Sequence, residues 1–494
     1  MLGDCHLDVG MELGIKLRET LFDEATELDP SPYSREINHR SILYTGIDTQ
    51  GYQVQNLALP KDLSDPYLKE WVKAPENPII VGSPNTNDLD PFNLRDPSTA
   101  WLLPDGKWRI VIGTQHRKNG LAALYTSDDF VTWTVVDHPL RSVVDSGMWE
   151  CPDFFPVYVG KSIGADTSVI GDDVKHVFKV SLIDGKKELY TIGRYDIGKD
   201  IYVPDEGSIE NGSGLMCDYG RIFASKSFFD SKTNRRILFG WSRETSSAEA
   251  NNLKGWAGLQ GIPRTMVLDE FGKQLVQWPI TEVETLRYGQ VDFPSQIVKG
   301  GSVVEISGIT GSQADVEVSF EIPELKDTEI MDPTWTNPRT LCEEKGVSVN
   351  GTIGPFELLT LATTGLEEYT AIFFRVFKDP NASNKYVVLM GNDLSRSSQN
   401  PTTTKASYGT FVDVNPAKEE LSLRALIDHS IVESFGSKGK NCITARVYPK
   451  LAINDKAKLY LFNYGTEDVR ITKLSAWSMK KAQVNLTIDI NENN

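Results

Sequence analysis

Short runs of β-branched and aromatic residues recur along the first half of the chain at a nearly constant interval. Four of them begin at Ile42, Trp108, His176 and Arg236, between 60 and 68 residues apart. Each run is too short for a helix and has the composition of a strand. Because a second run or a turn follows each of them, the repetition predicts radially arranged antiparallel sheets, which is a β-propeller. Two unrelated sandwiches with evenly spaced strands are the alternative.

From about Tyr288 the long period gives way to alternating apolar segments separated by turn signals, a pattern typical of a β-sandwich. The predicted fold class is therefore all-β, with a propeller followed by a sandwich. We predict an atypical N-terminal segment, a propeller, a linker, a sandwich and a tail, at residues 1–40, 41–285, 286–297, 298–485 and 486–494.

The charge balance and the apolar runs exclude several classes of partner. The chain has 51 Lys and Arg against 68 Asp and Glu, a net charge of −17, and no cluster of basic residues, so we expect no nucleic-acid partner. No apolar run approaches the ~18 residues that span a bilayer, so no membrane partner is expected. Asp4, Asp8 and Glu12 interrupt the segment where a signal peptide would be apolar, and no signal peptide is visible in this chain.

Asp96 is the first candidate site residue. It follows Arg95, which can provide a positive partner, and precedes Pro97, which predicts an extended backbone at Asp96. This context fits a fixed hydrogen-bond acceptor. A turn aspartate before a proline is the alternative interpretation.

Glu150 is the second candidate, because it lies in an apolar and aromatic frame, Met148–Pro156, that is unusual for a carboxyl group. Such surroundings suit a general acid. A satisfied polar residue at a strand end is the alternative. Asp96 and Glu150 occupy similar positions in successive repeats, so we expect both side chains at one axial pocket. Convergent carboxylates in a pocket with tryptophan rings suit glycoside hydrolysis.

Three segments are similar to those of one enzyme family: Arg95–Pro97 with Trp101 after it, Trp149–Asp153, and Lys254–Gln260. The chain resembles plant glycoside hydrolase family 32, the cell-wall invertases and fructan exohydrolases, from about Ser41 to about Val484. The resemblance implies a five-bladed propeller followed by a sandwich. It also implies a retaining hydrolysis of β-fructosyl bonds in fructan or sucrose, without metal or cofactor, and an extracellular, cell-wall location.

The resemblance further assigns roles to single residues. Glu150 is implied as the general acid/base, and Asp96 as the transition-state stabiliser that also binds fructose hydroxyls, with Arg95 beside it. Asn251 and Lys254 are implied substrate-binding residues. The invertases of the family carry an aspartate at the position of Asn251, and an amide cannot supply the same charge-assisted acceptor. This difference favours fructan over sucrose.

One departure from the family concerns the nucleophile, an aspartate in a Trp-Met-Asn-Asp-Pro-Asn-Gly motif near the N-terminus. This sequence contains no such motif, and residues 1–40 are too few for a whole blade. We therefore expect a truncated first blade and an absent nucleophile, with Asp4, Asp8 and Asp23 as surface residues. A retaining enzyme without its nucleophile loses the covalent step. We expect impaired hydrolysis, with a non-catalytic carbohydrate-binding protein as the alternative.

The resemblance also implies features of a secreted sandwich. The segments around Cys342 and Cys442 match the family and predict a Cys342–Cys442 disulfide, with free buried cysteines as the alternative. Candidate glycosylation sites, which matter only in the secretory pathway, are Asn211, Asn350, Asn381 and Asn485.

Overall fold

The computed structural model describes residues 41–65, 68–82, 89–382 and 385–482. The first part of this range forms four consecutive antiparallel sheets, A to D. Sheets A and B contain β1 (Ile42–Ile47), β2 (Gln53–Pro60), β3 (Trp71–Lys73) and β4 (Ile80–Val81), then β5 (Trp101–Leu102), β6 (Trp108–His116), β7 (Asn119–Ser127), β8 (Thr134–Val135) and β9 (Arg141–Val143). Sheets C and D contain β10 (Trp149–Tyr158), β11 (Val174–Leu182), β12 (Lys187–Asp196) and β13 (Ile201–Pro204), then β14 (Ile222–Asp230), β15 (Arg235–Ser242), β16 (Leu259–Gln260), β17 (Arg264–Leu268) and β18 (Leu275–Pro279). Helix α1 (Ala248–Lys254) follows β15.

Neighbouring sheets contact each other: β10 lies against β6 of the preceding sheet and against β14 of the following one. The side-chain amide of Gln55 in sheet A donates to the Leu94 carbonyl before β5 at 2.7 Å. Asp153 of β10 accepts from the Ser227 backbone N–H of β14 at 2.8 Å. Four consecutive sheets of this kind are the blades of a propeller, with β1, β5, β10 and β14, the first strands in their order, as the inner strands. The predicted propeller is therefore confirmed, with four of its blades in the described range.

The four predicted strand runs are strands, but they do not all occupy the same place in a blade. The run at Ile42 forms the inner strand β1, whereas the runs at Trp108, His176 and Arg236 lie in second strands. The second strand of sheet A is β2. Apolar patterning identifies a buried strand without indicating its order in the sheet, so the sequence period did not separate the two cases.

Two further sheets, E and F, pack face to face after the propeller. Sheet E contains β19 (Arg287–Phe293), β20 (Gln296–Val298), β22 (Gln313–Glu321), β27 (Leu421–Asp428), β28 (Ile431–Gly436), β29 (Asn441–Arg446) and β31 (Val469–Met479). Sheet F contains β21 (Ser302–Glu305), β23 (Phe356–Ala362), β24 (Thr370–Lys378), β25 (Tyr386–Asp393), β26 (Tyr408–Val412) and β30 (Lys458–Asn463). Alternate side chains of both sheets, including Val316, Phe320, Phe356 and Phe374, form the core between them. This is the predicted sandwich. Helix α2 (Pro338–Glu344) lies outside sheet F, and short 3-10 helices span Thr281–Leu286, Ser437–Gly439 and Asn454–Lys456.

The segment 286–297, predicted as a linker, belongs largely to the sandwich. Strand β19 pairs with β31, with Tyr288 opposite Ser478, and β20 pairs with the same strand. Backbone pairing to a distant strand organises this segment, and its exposed, polar composition conceals that pairing in the sequence. The other predicted domain bounds stay predictions.

The predicted Cys342–Cys442 disulfide is wrong, because both cysteines are free and buried. Cys342 in α2 packs with Leu359 and Phe373 on the outer face of sheet F. Cys442 in β29 packs with Val283 on the outer face of sheet E. The sandwich core separates the two outer faces, so the thiols cannot meet.

Candidate active site

The inner strands β10 and β14 and the segment before β5 each carry a backbone irregularity. The residues with left-handed φ are Asp96 at 63°, Cys151 at 47° and Ala224 at 53°. The pairing of β10 with β11 shifts between Glu150 and Asp153, as in a β-bulge, and β14 with β15 shifts between Phe223 and Lys226. Bulges re-aim the side chains beside them. The extended backbone expected for Asp96 is therefore wrong, because Asp96 lies in such an irregularity.

The structure brings Asp96, Arg95 and Glu150 together. The Cys151 backbone N–H donates to Asp96 Oδ2 at 3.0 Å, so the residue next to Glu150 holds the carboxylate of Asp96. Arg95 Nε donates to Glu150 Oε1 at 3.0 Å. The positive partner expected for Asp96 thus binds Glu150 instead. These two hydrogen bonds bring the carboxyl groups of Asp96 and Glu150 close together between sheets B and C.

Residues of sheet A and of the loop before β5 fix this arrangement. Arg95 donates through one terminal nitrogen to Gln53 Oε1 and to Asn93 Oδ1, both at 3.1 Å. The Asp96 backbone N–H donates to Thr45 Oγ1 at 2.9 Å. Sequence reasoning missed Gln53 and Thr45, because polar residues in a strand of another blade carry no signal of their own.

Lys226 is a further residue that the sequence did not indicate. Its ammonium, from β14, donates to the carbonyl oxygens of Asp96 at 3.2 Å, Pro97 at 3.1 Å and Pro152 at 2.7 Å. Burial lowers the pKa of Lys226. One side chain therefore ties the inner strands of sheets B, C and D together directly behind Asp96.

The aromatic side chains next to Glu150 in the sequence point into the interior of the blade. Trp149 is 2% exposed and its ring packs on Phe178 at 5.5 Å, whereas the Glu150 side chain is 20% exposed. Phe154 stacks on His176, and burial lowers the pKa of that imidazole to about 4. These rings support β10 from inside the blade, so Trp149 does not line the pocket as expected.

Asn251 and Lys254 lie on α1, between sheet D and the sandwich. Asn251 Oδ1 accepts from Ser246 Oγ at 2.6 Å. Lys254 Nζ lies 3.2 Å from Glu244 Oε2 and 4.4 Å from the centre of the Trp256 ring. The contacts seen for this helix in the described range do not include Asp96 or Glu150.

Glu244 connects this helix to the sandwich. It accepts from Arg446 at 2.7 Å, from the Gly258 backbone N–H at 3.0 Å and from the Tyr448 hydroxyl. Burial opposes the charge of Glu244, but these hydrogen bonds prevail and hold its pKa at about 2. Sequence reasoning also missed Glu244, because its partners are about 200 residues away in the chain.

The remaining predicted residues are dispersed or lie outside the described range. Asn211, Asn350 and Asn381 are exposed, and Asn485 lies outside the described residues. So do residues 1–40, on which the prediction of an absent nucleophile depends. Within the described residues, no three His, Cys, Asp or Glu side chains are grouped to hold a metal, and no helix is long and apolar enough to cross a membrane.

Comparison with known proteins agrees with the fold. The profile of the glycosyl hydrolases family 32 N-terminal domain matches residues 26–279, and that of the family's C-terminal domain matches residues 282–478. A fructan 6-exohydrolase of Beta vulgaris is 66% identical over 457 residues, which are 92% of this chain and 75% of the relative. A β-fructofuranosidase, insoluble isoenzyme CWINV3, of Arabidopsis thaliana is 51% identical over 90% of this chain and 75% of its own length.

The crystal structure of fructan 1-exohydrolase IIa from Cichorium intybus superposes with a TM-score of 0.86 at 50% identity, covering 90% of this chain and 82% of that one. Both domain profiles match in order and together span most of the chain. The chain therefore belongs to glycosyl hydrolases family 32, a family of enzymes that hydrolyse fructosyl bonds.

Proposed function

We propose that this protein removes terminal fructose units from fructan, and that sucrose is its second substrate. The observation that carries the proposal is the pair of hydrogen bonds joining Asp96 to Cys151 and Arg95 to Glu150. They bring the carboxyl groups of Asp96 and Glu150, from adjacent sheets, close together. Convergent carboxyl groups of this kind suit glycoside hydrolysis, with one of them as the acid/base.

In the proposed reaction, Glu150 protonates the glycosidic oxygen of the leaving group and later activates water. Asp96 accepts hydrogen bonds from fructose hydroxyls and stabilises the positive charge that develops on the sugar ring. Arg95 positions Glu150, and Lys226 fixes the backbone that carries Asp96. These steps need no metal or cofactor.

The retaining reaction also needs a carboxylate nucleophile. This sequence contains no Trp-Met-Asn-Asp-Pro-Asn-Gly segment. We expect a polypeptide of these residues alone to bind fructan and to hydrolyse it slowly, because the covalent step is missing. Binding of carbohydrate without hydrolysis is therefore the second candidate function.

Two observations support fructan over sucrose. Asn251 stands where the family's invertases carry an aspartate, and a relative named as a fructan 6-exohydrolase is 66% identical. Relatives named as insoluble or cell-wall β-fructofuranosidases, at 51–52% identity, keep sucrose as the alternative substrate and support a cell-wall location. Glycans on the exposed Asn211, Asn350 and Asn381 would fit that location.

The test compares fructose release from levan, inulin and sucrose by the purified chain and by its Glu150→Gln variant. We expect release from fructan to exceed release from sucrose and to disappear in the variant. Faster release from sucrose would contradict the substrate assignment, and equal release by the variant would contradict the role of Glu150. Fructan binding by both proteins with no release by either would establish the second candidate function.

A further inference from the structure

A polar cleft includes Gly147 and Met148, which precede Glu150 in the chain. It has a volume of about 380 Å³, within the range of roughly 300–1,000 Å³ that is typical of small-molecule sites. Its lining residues are Gln115, Arg117, Lys118, Asp145, Gly147, Met148, Ile183 and Asp184. They come from the end of β6, from the turns after β6 and β11, and from the loop before β10.

The cleft opens at the same end of the propeller as the two carboxylates. The backbone of Arg95 forms an antiparallel β-bridge with Gly113 of β6. Gln115, two residues after Gly113, lines the cleft. Glu150 pairs with Ser181 of β11, which ends one residue before Ile183. The cleft is therefore continuous with the ends of the strands that position Arg95 and Glu150.

The charged side chains that line the cleft have no polar partner among the described residues. Arg117, Lys118, Asp145 and Asp184 are exposed, and their side chains form no hydrogen bond or ion pair with the described residues. Two positive and two negative groups give a site with many donors and acceptors but no net charge. Such a set favours a neutral polyhydroxylated ligand, because an anion or a cation would meet a like charge.

A chain of hydrogen bonds connects the cleft to the acid/base residue. Gln115 donates to Asp90 Oδ2 at 3.2 Å, and Asn93 donates to the same oxygen at 2.8 Å. Asn93 in turn accepts from Arg95, which binds Glu150. A ligand in the cleft thus lies against the same network that orients Glu150.

From the placement, the charge pattern and this network, we propose that the cleft binds further sugar units of a fructan chain, beyond those held at Asp96 and Glu150. This inference rests on the proposed function and adds a preference for longer chains. Each sugar unit that reaches the cleft can exchange hydrogen bonds with Lys118 and Asp184. Shorter substrates bind only at the carboxylates.

The test measures binding of fructo-oligosaccharides of three and of five sugar units by titration calorimetry. The cleft variant is Lys118→Ala with Asp184→Ala, which removes one charge of each sign from exposed turns. The matched control is Lys232→Ala with Asp172→Ala, also exposed, in turns at the opposite end of sheets C and D. Near-ultraviolet circular dichroism verifies that both variants keep the native fold.

We expect the unaltered protein and the control to bind the five-unit oligosaccharide about tenfold more tightly than the three-unit one, as a few added hydrogen bonds allow. The cleft variant should lose most of that difference while its affinity for the three-unit oligosaccharide stays within about twofold. The inference would be overturned if the cleft variant kept the same preference for the five-unit oligosaccharide as the unaltered protein, or if the unaltered protein bound both oligosaccharides equally. Either result would leave the proposed function intact. Failure to bind either oligosaccharide would overturn the proposed function itself.

Discussion

The backbone N–H of Cys151 donates a hydrogen bond to the carboxylate of Asp96, 55 residues earlier in the chain. The bond joins the inner strands of two blades at the positions where each has a left-handed backbone. We therefore expect a change at either irregularity to move both the Asp96 and the Glu150 carboxyl groups. The geometry of this pair underlies the predictions that follow.

Replacing Arg95 by methionine should lower kcat while leaving the fold intact. The side chain holds Glu150 through Nε and is itself held by Gln53 and Asn93, so its loss frees the acid/base residue to rotate. Misplacement of a catalytic group costs roughly a hundredfold in rate. Steady-state kinetics on levan tests this, with Arg194→Met, at an exposed position of β12 outside both the network and the cleft, as the matched control. An unchanged kcat in Arg95→Met would show that Glu150 needs no such partner.

Replacing Asn251 by aspartate should shift the preference toward sucrose. The new carboxylate would lie one turn before Lys254 on α1 and compete with Glu244 for its ammonium, since residues at this spacing face each other. We expect the ratio of sucrose to levan turnover to rise about tenfold, the effect of one charge-assisted hydrogen bond. Asn252→Asp, on the neighbouring exposed position, is the matched control. An equal shift of the ratio in both variants would show that residue 251 does not determine the preference between sucrose and levan.

The junction between propeller and sandwich should weaken in acid through Glu244. Its pKa is about 2 in the folded protein and 4.5 ordinarily, so its contribution to stability is complete above about pH 4.5 and disappears as the pH falls toward 2. The full effect is about 3 kcal/mol. Thermal unfolding midpoints between pH 6 and pH 2.5 should fall less steeply in Glu244→Gln than in the unaltered protein. Glu270→Gln, at an exposed site, should follow the unaltered protein; identical slopes for all three would exclude this role of Glu244.

The thiols of the sandwich should behave as free, buried groups. Burial raises the pKa of Cys442 to about 12 and raises that of Cys342 as well, and only the thiolate reacts. In a Cys5→Ser background, we expect almost no reaction with a disulfide reagent in the native state. Unfolding without reductant should release four reactive thiols, those of Cys151, Cys217, Cys342 and Cys442. Release of only two thiols would instead support the Cys342–Cys442 disulfide.

The architecture was predictable because it depends on local patterns. Runs such as Trp108–His116 are buried, regular strands, and their composition identifies them without knowledge of their partners. The convergence of Asp96 and Glu150 followed from their equivalent places in the repeat. These features depend on local patterns and on the regular repetition of those patterns along the sequence.

The details of the site depend on contacts between blades, which a sequence period does not describe. The left-handed backbone of Asp96, its link to Cys151 and the reach of Lys226 to three carbonyl groups arise only when the sheets pack. The mistaken disulfide has the same origin. Two family-like cysteine segments carry no sign that they lie on opposite faces of the sandwich.

The central claim is that Asp96 and Glu150 form one binding centre for a terminal fructose. A crystal structure of the Glu150→Gln variant with a fructo-oligosaccharide tests it most directly. We predict the terminal fructose with its hydroxyls on Asp96 and its glycosidic oxygen beside residue 150. A sugar bound elsewhere on the protein, with that centre empty at saturating oligosaccharide, would contradict the claim.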